Sequence, residues 1–561
     1  MQVRGTFVII AFSLLFRFIG LNAQTWGDYT LYSVQNTTTA QLIDMNNKVY
    51  HSWTFNSNAR TGYSSYLLPG GTIIRSVIQL GTPFKSGGVT GRVQKVDWNG
   101  NVLWDFVYSS ATYCLHHDIC PMPNGNVLMI SYEIKTASEA AQAGCSKNIS
   151  IWSDKIIEVK PTGLNTGEIV WEWHAWDHLC QSYNASKNNY VSSVSEHPEL
   201  LNINYNTTQD WLHMNGLDYN EDLDQIVISS HFLNEFYVID HSTTSTEAAG
   251  HAGGNSGKGG DFLYRWGNPA AYGVSGTKIF NVVHDAHWIP EGCPKANSFA
   301  AYNNKGGAGN KTCVDIIPPP YDGYNYTRNS GTAFEPSTYS WRHVFSGSPT
   351  QDLGNSQMLP NGNILICISQ SGYLYEIDSN QVLKWSTNVQ GMISQAFRYS
   401  YCYVNGTLAE TPTISSAGNA LQSSIGSSYQ WYFNGEPIPN ATNQSIIPSK
   451  PGKYRVSITN STGCESRLSV PYFYNGSASI DDQNRELLQI YPNPTNGILN
   501  ISPPREDESD FEISIFDMIG IMVLKTVNLD TIDIYEFDNG LYYLAYKSDK
   551  LHTVKKILLV K

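Results

Sequence analysis

Histidine is the residue type with which this chain can do chemistry, because its placement repeats. His116 and His117 lie in LHHDICPMPNG, His213 in DWLHMNGLDY, and His284 and His287 in VHDAHWIPEG, each just ahead of a Gly-containing turn. Asp118, Asn215 and Asp285 stand beside them. A lone histidine in a strand is ordinarily structural, but recurrence at one phase of a repeat means that the rings can converge on a common axis. Two chemistries follow from such a cluster. Imidazoles can ligate a metal, and HDAH invites that reading, yet residues three apart in a strand face opposite ways, so His284 and His287 should not share an ion. Alternatively the rings bind an anion and one attacks it, while its neighbours stabilise the developing charge. This second reading needs no metal and no cofactor.

The elements that must position these rings recur from residue 24 to about 404. A Pro-Asn-Gly-Asn turn is followed by a short alternating strand, an acidic strand ending in Ile-Asp or similar, another turn and a Trp strand. MPNGNVLMIS with KIIEVKPTGLNTGEIVWEW is one copy, and MLPNGNILICIS with YLYEIDSNQVLKW is another. LLPGGTIIRS with VQKVDWNGNVLW is a looser copy, and AQLIDMNNKVYHSW is a half-copy at the start. One such unit cannot bury both of its faces, so the repeat predicts an all-β fold: a six-bladed β-propeller, closed by residues near 395–403 against the N-terminal half-copy. Two small β-sandwich domains should follow it. The first, at 410–472, has a Trp strand (Tyr429 to Phe433) and a later alternating strand and suits an Ig-like spacer. The second spans 483–561, beyond a polar linker from Ile480, and consists of further alternating strands.

The 561 residues carry 35 Lys+Arg against 48 Asp+Glu, a net charge of −13 that disfavours a nucleic-acid partner. Arg4, an apolar stretch from Phe7 to Leu21 and the small residue Ala23 predict a signal peptide over 1–23, and no later run is long enough to cross a membrane as a helix. Nine cysteines without a CxxC pair suit a few disulfides in an exported chain. Cys145 with Cys180 and Cys293 with Cys313 are plausible loop staples.

Two resemblances extend this reading. HHDI followed by PNGN, DWLHMN followed by DQIVISS, NEFYVIDHSTTSTEAAGHAGG leading to LYRWGNP, and HDAHWIPEG together resemble the aryl-sulfate sulfotransferases, propeller enzymes that use no nucleotide sulfate donor. The resemblance spans most of residues 40 to 400. It implies sulfuryl transfer from a phenolic sulfate ester to a phenol acceptor through a sulfated histidine. By motif the nucleophile falls on His284, with His213 and either His116 or His117 as further catalytic histidines. Phasing with HDA favours His117, and phasing with HMN favours His116. Where many relatives have an arginine after the ISS strand, this chain has His231, whose charge depends on pH. His231, Asn215, Asp118, His287 and Arg265 are the expected substrate-binding or bracing residues, with Arg265 or Arg398 as possible substitutes for the missing arginine. The second resemblance, at YPNP, NGLYYL and the Lys-rich end, is to the C-terminal sorting domain of the type IX secretion system. It implies the secretion machinery as a partner and a secreted or cell-surface location. The competing functions are a non-catalytic surface propeller that binds glycans or proteins, and a metal-dependent hydrolase of sulfate or phosphate esters.

Overall fold

The computed structural model describes residues 26–474, 488–502, 511–517, 522–548 and 552–561. The expected signal peptide and the linker from Ile480 lie outside the described residues. From Tyr29 to Tyr399 the chain forms six four-stranded antiparallel sheets. The first combines both ends of this span: Tyr29–Val34, Thr39–Asp44 and Val49–Thr54, with Ile393–Tyr399 as its innermost strand. Tyr29 stands opposite Tyr399 and Leu31 opposite Phe397, so the ring is closed by backbone pairing between its beginning and its end. The innermost strands of the other five sheets are Thr61–Leu68, Tyr113–Pro121, Met214–Asn220, Val283–Trp288 and Asn355–Met358. The fold is therefore a β-propeller.

The recurring phrase has a physical meaning at each of its parts. The outer-strand tryptophans reach into the next sheet. The indole N–H of Trp53 donates to Asp97 O, that of Trp104 to Thr166 O, that of Trp173 to Gly260 O and that of Trp266 to Pro336 O, while Trp385 donates to Met45 O across the closure. Each large apolar face thus seals the joint between two sheets, and its one polar atom is satisfied there. The aspartates that end the acidic strands cap the turns that follow. Asp44, Asp97 and Asp378 each accept two backbone N–H groups from the next four residues. The Asn of the Pro-Asn-Gly-Asn turn donates to the acid of the adjacent strand, Asn126 to Glu158 at 2.5 Å and Asn363 to Glu376 at 2.6 Å.

The innermost strands are irregular where the histidines fall. Pairing slips between Leu115 and Ile119, between Met214 and Gly216, and between His284 and His287. His117, His213 and Asp285 take left-handed backbone angles there (φ 51°, 49° and 49°), a conformation that bulges impose and ordinary strands avoid.

After the ring, Ser428–Phe433 pairs with Gly452–Thr459, setting the fully buried Trp431 opposite Val456. Lys453 and Arg455 on the second strand are paired with Asp222 and Glu291 of the propeller. Most of a second compact unit comes from Phe473–Lys561. In it Phe511–Phe516, Met522–Val527, Gly540–Ser548 and His552–Leu559 form one sheet over a core that includes Ile513, Ile515, Leu544 and Ile557. No helix among the described residues is long and apolar enough to cross a membrane.

The cysteine staples need correction. Among the described residues the disulfide joins Cys402 to Cys464, which ties the segment after the closing strand to the hairpin that follows it. Cys145, Cys180, Cys293 and Cys313 are buried free thiols. Spacing alone made those pairs plausible, but each thiol is packed into its own part of the core.

Arg398 lies on the closing strand and is completely buried. It donates to Thr30 Oγ1, Trp26 O and Glu376 Oε2, so it bridges the first and last sheets. Arg398→Ala would leave the Glu376 carboxylate buried and unpaired, and it should lower unfolding free energy by about 3–5 kcal/mol in urea titrations. The double variant Arg398→Met/Glu376→Leu should recover most of that loss. Equal stability of the single variant and the wild type would show that the pair does not brace the closure.

Candidate functional site

The bulges bring four imidazoles to one axial cavity of about 550 Å³. Its walls include His117, His213, His231 and His284, with Tyr63, Phe232, Met392, Asp352 and Leu353. The ring centroids step across it, 4.6 Å from His117 to His213, 5.2 Å from His213 to His231 and 5.5 Å from His231 to His284. The four histidines come from three neighbouring sheets: His117 from the bulge in Tyr113–Pro121, His213 and His231 from the ends of Met214–Asn220 and Gln225–Ser230, and His284 from the start of Val283–Trp288.

The hydrogen-bond network sets the proton positions on His284. Asn304 donates its Nδ2 hydrogens to Thr350 Oγ1 and Leu353 O, both at 2.8 Å, which turns its Oδ1 toward the imidazole. His284 Nδ1 lies 2.8 Å from that oxygen and so carries the proton. The lone pair is then on Nε2, where it accepts a longer bond of 3.2 Å from the Leu353 N–H. Burial, reinforced by the neighbouring His231, lowers the His284 pKa to about 3. The ring is therefore neutral at ordinary pH, with a nucleophilic nitrogen held by one long bond.

His213 Nδ1 lies 2.6 Å from Asp210 Oδ2 and 3.1 Å from Tyr132 Oη, which leaves Nε2 as the nitrogen available to a ligand. Of the two adjacent histidines, His117 faces the cavity and His116 stands behind it. The His116 ring stacks on Tyr132 at 3.6 Å, its Nδ1 is 3.0 Å from His117 Nδ1, and its Nε2 lies 2.7 Å from Asp154 Oδ1. Burial drives the His116 and His117 pKa values well below the usual range and that of Asp154 well above it. Gly88 makes room for His117: a Cβ there would lie 1.8 Å from His117 Cε1.

The remaining expected residues divide clearly. His231 reaches the cavity at the arginine position, with its Nε2 3.2 Å from Asp352 Oδ1, and that hydrogen bond lowers the Asp352 pKa. Asp118 and Asn215 border a narrower space below, and their polar atoms are used in bracing. Asp118 accepts from Tyr66 Oη, Ile119 N, Leu217 N and Gln395 Nε2, while Asn215 donates to Val283 O and accepts from Ser229 Oγ. His287 lies outside the cavity, with Nδ1 3.2 Å from Asp285 Oδ2. Burial opposes its charge, but Asp285 and Asp218 outweigh burial and raise its pKa to about 9. Arg265 does not line the cavity either. Its guanidinium is fully buried against Glu235 and the carbonyls of Pro198 and Leu200. Arg398 is likewise consumed at the ring closure.

Sequence reasoning did not find Asn304, Asp352, Leu353, Tyr132 or Asp154. Asp210 was visible in DWLHMN, three residues before His213, and could have been recognised as its partner.

A closed ring of four-stranded sheets with an imidazole-lined axial cavity defines a β-propeller with a pocket suited to anion chemistry. Residues 85–317 match the model of the arylsulfotransferase family, and residues 489–561 match a secretion system C-terminal sorting domain. The sorting domain marks a chain that is secreted or attached at the outer-membrane surface. Solved structures that align with the chain include a protein of unknown function from Bacteroides caccae (12% identity, 66% of this chain and 98% of that one, TM-score 0.39). Others are the hydrazine synthase of Kuenenia stuttgartiensis (12%, 52% and 69%, TM-score 0.28) and a catalytically inactive virginiamycin B lyase from Staphylococcus aureus (10%, 72% and 93%, TM-score 0.27). No curated protein matches the chain.

The depressed His284 pKa gives a signed prediction. The unfolded chain takes up a proton near pH 6.5 that the folded ring refuses until about pH 3, so this stability is complete above pH 6.5 and is lost as pH falls. Between pH 6 and pH 4, His284→Gln should make the loss of unfolding free energy shallower by about 1.4 kcal/mol per pH unit, measured by urea titration. Parallel slopes for the two proteins would refute the assigned neutral state.

Proposed function

We propose that this protein transfers a sulfuryl group from a phenolic sulfate ester to a phenol acceptor through a histidine-linked intermediate on His284. The observation that carries the reading is the hydrogen bonding of His284: Nδ1–H is held by Asn304, Nε2 accepts only a long bond from the Leu353 N–H, and the ring lines a cavity shared with three more imidazoles. The match of residues 85–317 to the arylsulfotransferase family supports the same chemistry.

In the first half-reaction His284 Nε2 attacks sulfur, an N–S bond forms, and the ester S–O bond breaks with its electron pair leaving on the phenolate. Nε2 must surrender the Leu353 N–H as it attacks, and that freed donor is then available to a sulfonyl oxygen. His213 Nε2 gives a proton to the departing phenolate while Nδ1 stays held by Asp210. His117 and His231 stand beside the transferring group as further hydrogen-bond partners. In the second half-reaction the acceptor phenol returns a proton to His213, its oxygen attacks sulfur, and the N–S bond breaks to restore neutral His284. Tyr63, Phe232 and Met392 supply aromatic and apolar wall against which an aryl ring can lie.

With an aryl sulfate donor and a phenol acceptor, the wild type should transfer sulfate and His284→Ala should be inactive while retaining its fold. Mass spectrometry of the donor-treated wild type should locate one sulfuryl group on the peptide carrying His284. Transfer at wild-type rate by His284→Ala would rule out the mechanism, and binding of the donor without any transfer would favour a non-catalytic propeller. Asn304→Ala releases the tautomer and should lower kcat by about 10²–10⁴-fold with little change in KM. An unchanged kcat would separate Asn304 from the positioning of the nucleophile.

A further inference from the structure

Away from the axial cavity, a second group of polar side chains lies at the joint between the third and fourth sheets. His178 follows the outer strand Thr166–His174 of the third sheet, and His251 and Asp261 bracket the glycine-rich stretch HAGGNSGKGGD inserted before Tyr264–Trp266 of the fourth. His178 Nδ1 and His251 Nδ1 each lie 2.8 Å from the same atom, Asp261 Oδ1. One ligand atom from each of the three residues falls within 4.8 Å of the others.

We propose that His178, His251 and Asp261 form a binding site for a zinc-class divalent transition-metal ion. The argument begins with the other nitrogen of His178. Its Nε2 lies 2.8 Å from Ala248 O, and because a carbonyl brings no proton, the hydrogen of that bond belongs to Nε2. A neutral His178 then turns its Nδ1 lone pair toward a carboxylate oxygen at 2.8 Å, a repulsive arrangement unless a positive species lies between the two atoms. His251 presents Nδ1 to the same oxygen, so one cation can satisfy all three groups. Metal-bound histidines commonly donate their second N–H to a backbone carbonyl, as His178 does to Ala248. Two imidazole nitrogens and one carboxylate oxygen suit zinc, copper or nickel better than magnesium or calcium.

The surroundings also suit a held ion. His178 and Asp261 are buried, whereas the His251 side chain is 62% exposed, which leaves a solvent side where water can complete the coordination. The packing leaves no slack around His178: a Cβ on Gly260 would lie 2.6 Å from its Nε2, and Trp173 stacks parallel to its ring at 5.5 Å. Trp173 in turn donates to Gly260 O at 2.7 Å. An ion here would fasten the glycine-rich loop to the third sheet. None of the three residues lines the axial cavity, so the site is separate from the proposed sulfuryl chemistry.

The test uses the full chain and His251→Gln, which changes only the exposed ligand. Both proteins are stripped with chelator, loaded with Zn²⁺, dialysed and assayed for bound metal and thermal midpoint. The wild type should retain one more equivalent of zinc than His251→Gln and should gain a zinc-dependent rise in Tm that the variant lacks. Any zinc held by the cavity histidines is common to both proteins and cancels in the difference. Equal metal content, including none in either, would overturn the proposal and leave protons as the species between the rings and the carboxylate.

Discussion

Around the axis, side chains make most of the hydrogen bonds that join one innermost strand to the next. An innermost strand has one edge in its own sheet and the other toward the axis, where its N–H and C=O groups have no sheet partner. Asp118 takes the N–H of Leu217, Asp218 takes that of Trp288, Asp285 takes that of Ser356, and Asn355 both accepts from and donates to Ala396. Asn215 donates to Val283 O. Several of these bracing residues are sequence neighbours of the cavity histidines, so the contacts that join one strand to the next also set where each imidazole points. Support and chemistry share the same bulges.

Burial has a second effect at these positions. It disfavours the protonated form of His116, His117 and His284, which suits the last to the proposed nucleophilic role but leaves those rings without positive charge. The buried arginines do not supply that charge, since Arg265 and Arg398 are spent on Glu235 and Glu376 inside the sheets. In the proposed reaction an anionic donor would therefore meet His213 with Asp210, His231 with Asp352, and backbone donors such as Leu353. This is a weaker and more adjustable cradle than a guanidinium fork.

The architecture was readable in the amino-acid order because each sheet repeats the same physical tasks. A tryptophan seals five of the joints and aspartates cap turns after acidic strands, so Trp53, Trp104, Trp385, Asp97 and Asp378 recur in phase. His213 and His284 were readable for the same reason, whereas His231 was singled out only by the resemblance, at the place where many relatives have an arginine. The choice between His116 and His117 was not, because the register slip between Leu115 and Ile119 breaks the alternation by which a face is assigned. Arg265 was misjudged because a buried ion pair leaves no mark in the sequence that distinguishes it from a ligand-binding arginine. Asn304 and Asp352 act across folded distances, on His284 and His231, and no local pattern announces either.

The closing strand also governs when the protein becomes competent. Tyr29–Val34 finds its partner Ile393–Tyr399 only after more than three hundred intervening residues have been laid down, so the last joint is a long-range, entropically late event. An incomplete ring lacks Met392 and the strand that holds Gln395 against Asp118, and its axial pocket has no finished wall. The wall of the cavity is thus finished only when the circle is shut, and the proposed chemistry has to wait for that joint.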